Sequence, residues 1–181
     1  LLVLFFLIGV SDSLEINSIR IFLTISGSSL NSLLKPGGIM KIGLYSGLAR
    51  KDIVKTKQDI RRLGIGSSVS EMKSYRCKII DSDKEEHIKI RAFDDFYSLS
   101  MFRDLLFHVQ EHRFSLPQIK GCLAQLGLVF CGFESDGVVQ DFKRAYTGLN
   151  DPYDLDKWHS YEQANPYIFS GMYQFWCQKV L

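Results

Sequence analysis

Four cysteines, four prolines and a formal net charge of only +2 in 181 residues leave several protein classes without support. Cys77, Cys122, Cys131 and Cys177 form no C-x-x-C pair and no dense spacing. That excludes a zinc knuckle or a disulfide-built scaffold and predicts reduced, mostly buried thiols. The slight excess of Lys and Arg is unclustered and too small to hold phosphate backbones, so no nucleic-acid partner is expected. The longest apolar run, residues 1–10, falls short of the roughly 20 residues a membrane span needs, and no membrane partner is expected. What is present is 46% hydrophobic and 23% charged residues, the profile of one globular core. A small-molecule or protein partner and a cytoplasmic location fit that profile.

The opening run 1–10 suits either a buried strand or the core of a secretory signal. No basic stretch precedes it, which favours the strand. Ile19, Ile21, Leu23 and Ile25 alternate as in a strand, and Leu30, Leu33 and Leu34 resemble the last apolar turn of a helix stopped by Pro36, Gly37 and Gly38. Residues 39–45 are apolar at nearly every position, as in a central strand covered on both faces. The edge of that strand would be an aggregation hazard unless residues 1–25 pair with it.

Ala49, Ile53, Ile60 and Leu63 then recur at helical spacing, with Arg61 and Arg62 in the last turn and Gly64 just past it. Lys55, Lys57, Arg61 and Arg62 suit the solvated face of that helix. Residues 65–95 are polar and irregular, predicting a surface excursion with one short strand at 76–80. A helix is expected over 100–112, with Met101, Leu105 and Val109 on one stripe and Phe102 and Leu106 beside it. Ser115 and Gln118 form a capping box with Pro117 in the first turn, and Phe114 is placed to staple to Ile119. Ile119, Cys122, Leu123 and Leu126 supply the apolar face, Gly127 the stop, and 128–133 a buried strand.

After an irregular stretch, Leu155, Trp158 and Tyr161 predict a short helix capped by Asp154 and ended before Pro166. Tyr173, Phe175 and Cys177 alternate with Gln174, Trp176 and Gln178 in a last strand over 172–180. Trp158 and Trp176 are expected in the core. Helix alternating with strand argues for a layered α/β sheet.

The run Leu33-Leu34-Lys35-Pro36-Gly37-Gly38-Ile39-Met40 resembles the helix, turn and fifth strand of class I S-adenosylmethionine-dependent methyltransferases, where L-L-K-P-G-G recurs. Ile42-Gly43-Leu44-Tyr45-Ser46 with Ala49-Arg50 is similar to a bacterial-type subgroup often fused to tetratricopeptide repeats. So are the stretch Arg103-Asp104-Leu105-Leu106-Phe107-His108-Val109-Gln110-Glu111-His112-Arg113-Phe114 and the ending Met172-Tyr173-Gln174-Phe175-Trp176. The resemblance covers about residues 30–181, with residues 1–29 poorly matched. It implies an α/β fold: part of a Rossmann-like methyltransferase sheet, mostly parallel with an antiparallel last strand and helices on both faces.

The family's acidic residue and G-x-G-x-G loop after the first strand, the acidic residue ending its second strand, and its V-L-H-H stretch after the fourth are not in this sequence. The resemblance therefore implies the C-terminal half of a methyltransferase, inactive as this chain alone, whose complete protein uses S-adenosylmethionine, needs no metal and methylates an unidentified acceptor. Fused or partner tetratricopeptide repeats are a further implication. A non-catalytic remnant or protein-interaction module is the alternative.

Methyl transfer is an in-line displacement at a carbon bonded to a sulfonium, so the protein has mainly to align the reacting atoms and exclude water. In open α/β sheets ligands lie at the carboxyl ends of strands, which places Tyr45, Ser46 and Arg50 on the substrate side. Tyr45 suits either a ring facing the sulfonium or a packing residue with its hydroxyl at the rim. Arg50 is more often a solvated helix charge. His108, Glu111, His112 and Arg113 suit substrate contact, or else a polar helix end. His108-Val109-Gln110-Glu111-His112 also satisfies the H-x-x-E-H pattern of a class of zinc peptidases, if helical, but no clear third ligand follows; Glu134 and Glu162 are the only nominees. Zinc binding is the least favoured of these readings.

Overall fold

The structure, a computed structural model, describes residues 2–5, 34–108 and 111–180. The strand and helical turn expected from Ile19, Ile21, Leu23, Ile25, Leu30 and Leu33 lie outside the described residues. Two compact units emerge, one of residues 1–49 with 110–181 and one of residues 50–109.

The first unit is built on a mixed sheet of strands β1 (Leu2–Phe5), β2 (Ile39–Ser46), β3 (Arg113–Phe114), β4 (Leu128–Phe133) and β5 (Tyr173–Lys179). Its order is β1-β2-β5-β4, with β3 beside β2. As the apolar run 39–45 predicts, β2 is interior. β1 runs parallel to it, Leu2 opposite Met40 and Phe5 opposite Gly43, so four residues of the opening run do form a strand and cover the edge left open above. On the other side β5 is antiparallel, Ile39 opposite Gln178 and Leu44 opposite Tyr173. β4 is in turn antiparallel to β5, across a register shift between Phe130 and Gly132. Gly132 takes φ 117°, a backbone angle that favours glycine. The strand order departs from a consecutive doubly wound run because the last strand in sequence inserts between β2 and β4.

Helices α5 (Leu116–Gln125), α6 (Asp136–Ala145) and α7 (Leu155–Ala164) pack on one face of this sheet. Met40, Ile42 and Leu44 of β2 and Tyr173, Phe175 and Cys177 of β5 share a core with Ile119, Leu123, Phe142, Leu155 and Trp158. Helices on both faces were expected, and the described helices of this unit occupy one. The opposite face carries Lys41, Tyr45, Gln174 and Trp176, all half-buried. Trp158 is a core residue and Trp176 is not, because alternation along β5 sends Trp176 to that second face. The capping box forms as the spacing requires, Ser115 Oγ accepting from Gln118 N and the Gln118 side chain accepting from Ser115 N. Asp154 caps α7 through the backbone N–H groups of Asp156 and Lys157. The stretch after β4, expected to be irregular, contains α6 instead, held by Phe142 stacked on Trp158 with ring centroids 3.7 Å apart.

The second unit is helical: α1 (Lys51–Arg62), α2 (Val69–Ile80), α3 (Glu85–Arg91) and α4 (Leu99–Leu106) around one apolar cluster. α1 ends as predicted, Gly64 at φ 64° and Ile65 N–H donating to Ile60 O at 3.1 Å. Residues 65–95 are no surface excursion, and the strand expected at 76–80 is helix. Met72, Tyr75 and Ile79 of α2 and Ile90 of α3 fill the core with Ile53 and Ile60 of α1. α4 is shorter than the predicted 100–112: its buried face is Phe102, Leu105 and Leu106, Met101 of the expected stripe is exposed, and Val109 lies outside the described residues. Lys57 is buried, unlike the exposed Lys55, Arg61 and Arg62 expected to share its solvated face. Of the thiols, only Cys177 is buried; Cys77 is exposed and Cys122 and Cys131 are half-buried.

Candidate functional site

The carboxyl end of β2 is where the first unit concentrates polar groups. The core-facing positions of the strand are apolar until its last residue, and its alternation carries Ser46, in phase with Met40, Ile42 and Leu44, onto the core face at 0% exposure. A buried hydroxyl needs partners, and it has two. Ser46 Oγ donates to Glu162 Oε1 at 2.6 Å and accepts from Ala49 N–H at 3.1 Å, tying the turn that leaves β2. Tyr173 OH donates to the same Glu162 oxygen at 2.6 Å. Burial, and next the Glu162 hydrogen bond, push the Tyr173 hydroxyl well above the usual tyrosine range. It therefore stays a donor at all ordinary pH. Glu162, 1% exposed, sits on the buried stripe of α7 one turn beyond Trp158.

β3 runs parallel beside this strand end, with Tyr45 opposite Arg113 and Ser46 opposite Phe114, and Gly47 N–H donates to Phe114 O at 2.8 Å. Arg113 lies 3.9 Å from Glu111, whose side chain is largely buried. Of the residues nominated from sequence, Tyr45, Ser46, Glu111, His112 and Arg113 thus belong to one unit, and the β2–β3 register brings Tyr45 and Arg113 alongside each other. Arg50 and His108 fall in the other unit. Arg50 is the residue preceding α1 and is 5% exposed, so it is no solvated helix charge. His108 follows the end of α4.

The helical arrangement that H-x-x-E-H requires is not formed. α4 stops at Leu106, and Arg113 already lies in a strand, so His108 and His112 share no helix face. Among the described residues no group of three or more His, Cys, Asp or Glu side chains is placed to hold a metal ion. Glu134, a nominee for the third ligand, pairs with Lys41, and Glu162 is taken by two hydroxyls.

Sequence reasoning missed the role of Glu162 and Tyr173. The signal was present: Leu155, Trp158 and Glu162 share one helical stripe, and a carboxylate on an apolar stripe announces a buried partner. A cavity of about 300 Å³ opens at the same end of the sheet, lined by Glu134 and Ser135 after β4 and by Phe169, Met172 and Gln174 around the start of β5. A larger groove, about 690 Å³, runs along the first half of β4 past Lys120 and Tyr153, away from the carboxyl end of β4. The smaller one is the better candidate, because ligands of open α/β sheets gather at carboxyl ends. Compared with models of known protein families and with curated proteins, the chain matches none.

Proposed function

We propose that this chain is the acceptor-side half of a class I S-adenosylmethionine-dependent methyltransferase with a Rossmann-like sheet. The observation that carries the reading is the topology around β2. β1, β2 and β4 point the same way, and the last strand, β5, runs antiparallel between β2 and β4. The sequence resemblance implies a mostly parallel sheet with an antiparallel final strand; the sheet is mixed, two of its four described strand pairings being antiparallel, and it shares with that expectation the antiparallel final strand. Of the residues of that resemblance, Tyr45, Ser46 and Arg113 lie at the carboxyl end of β2, where ligands of open α/β sheets gather, while Arg50 and His108 belong to the other unit.

In this reading Tyr45, beside Arg113 and on the half-buried face, lines the site where acceptor meets methyl donor. Its ring presents an electron-rich face to the sulfonium cation. Ser46, Glu162 and Tyr173 hold the strand end and the 46–49 turn in place beneath it. Alignment of this kind is the principal contribution a protein makes to methyl transfer. Arg113 suits an acceptor with an anionic group, as a paired guanidinium that can exchange partners.

The test is transfer of label from methyl-labelled S-adenosylmethionine by the protein purified as its own gene encodes it, with a cell extract supplying acceptors. Label transfer that falls at least about tenfold in Tyr45→Ala, with folding intact by circular dichroism, is the expected result; a tenfold loss corresponds to about 1.4 kcal/mol of transition-state stabilisation. Absence of transfer in the unaltered protein would remove the reading.

A further inference from the structure

The second unit holds a titratable group in an unusual setting. His87, in the middle of α3, is 5% exposed, and neither ring nitrogen has a hydrogen-bond partner among the described residues. Tyr75 of α2 meets it edge-on, ring centroids 6.3 Å apart. Tyr75 is itself buried in the cluster that joins Ile53 and Ile60 of α1, Met72 and Ile79 of α2 and Ile90 of α3. The imidazole is therefore wedged in the seam through which α3 packs on its neighbours. A neutral ring is tolerated there at the cost of an unmade bond, but a cation without an acceptor is far more costly.

The charges around it do not rescue the cation. Lys84, which precedes α3, and Arg91, its last residue, oppose it, and Asp59 of α1 and Glu86 of α3 favour it. Both carboxylates already have cations: Asp59 lies 2.9 Å from Arg62 and 3.9 Å from Lys84, and Glu86 lies 3.1 Å from Lys55. The packed elements carry further acidic groups: Asp52 on α1, Glu71 on α2, Glu85 on α3, and Asp94 and Asp95 in the short turn Asp94–Phe96 after α3. Burial outweighs the attraction, and the imidazole is held below its ordinary range.

We propose that His87 is an acid-operated latch of the helical unit: proton uptake by the buried ring releases α3 from α1 and α2. The direction follows from linkage. In the unfolded chain the ring titrates near the ordinary histidine value of about 6.5, and in the folded unit it titrates lower. Between those two values the open form binds more protons. The closed form is therefore fully favoured above about pH 6.5 and loses ground as pH falls toward the folded value. Each unit of separation between the two values shifts the opening equilibrium about tenfold. The inference stands on the geometry of this unit and is independent of the methyl-transfer reading.

Hydrogen exchange of the full chain, corrected for intrinsic rate, tests it at about pH 7 and about pH 5. Peptides from α1, α2 and α3 are expected to lose more protection at the lower pH than those from β2 and β5. In His87→Phe, which fills the same space and takes up no proton, that extra loss should vanish. An equal loss in His87→Phe would overturn the proposal. Titration of the His87 ring by NMR in the unaltered chain decides it without any variant. A midpoint below the ordinary value upholds the latch, and one at or above that value overturns it.

Discussion

Taking a carboxylate out of water costs several kcal/mol unless its oxygens are hydrogen-bonded. Glu162 meets that cost by accepting both the Ser46 and the Tyr173 hydroxyls on one oxygen. Truncating it leaves two buried hydroxyls without their acceptor, so Glu162→Ala is expected to destabilise the first unit by about 2–4 kcal/mol. Tyr173→Phe, which removes one donor and little volume, should cost about 1–2 kcal/mol. The two are not additive, because they share one bond: in the Glu162→Ala background, Tyr173→Phe should cost far less than it does alone. Urea denaturation of the four chains measures this, and full additivity would show that the 2.6 Å contact contributes nothing. Cys177 illustrates the same burial, since its thiol, deep beside Met40, is pushed up to about 12.

Among the elements, α5 is the one whose ends the sequence specifies most completely. Its capping box opens it, and Gly127 at φ 63°, with open space where a Cβ would stand, closes it. Ser115→Ala should cost about 1 kcal/mol through the lost cap. Gly127→Ala should cost about 1 kcal/mol through backbone strain alone, since nothing is there to clash. Thermal melts of both variants check this, and an unchanged melting temperature in either would contradict it. Where periodicity and end signals agreed, as in α1, α5, α7, β2, β4 and β5, the elements were legible. α2 was not, because its apolar residues, Met72, Tyr75 and Ile79, are spaced among charged ones and a β-branched start. The overlooked sign was Ser68 with Glu71, an S-x-x-E start in which Ser68 Oγ accepts from Glu71 N–H at 3.3 Å and Gly66 N–H donates to Glu71. α6 escaped for a different reason: Phe142 is the one residue it buries fully, and its stripe is otherwise completed by the half-buried Val138 and Val139.

At the scale of the whole chain, two apolar clusters account for two units, and sequence composition alone predicted one core. Composition counts apolar residues without saying which of them meet, and the division becomes visible only when contacts between distant residues are known. The candidate site shows the same limit. Tyr45 and Ser46 were legible as the end of a central strand, whereas the convergence of Ser46 and Tyr173 on Glu162, across 116 and 11 residues of chain, is tertiary. Nor does spacing reveal that the helix ends at Leu106, before either His108 or His112.

The central claim, that the carboxyl end of β2 faces the methyl donor, is tested most directly by ultraviolet cross-linking of radiolabelled S-adenosylmethionine to the protein as its own gene encodes it, followed by peptide mapping. The account predicts label on the peptide containing Tyr45 or on that containing Arg113, displaced by excess S-adenosylhomocysteine. Displaceable label confined to peptides remote from both, or none at all, would contradict it.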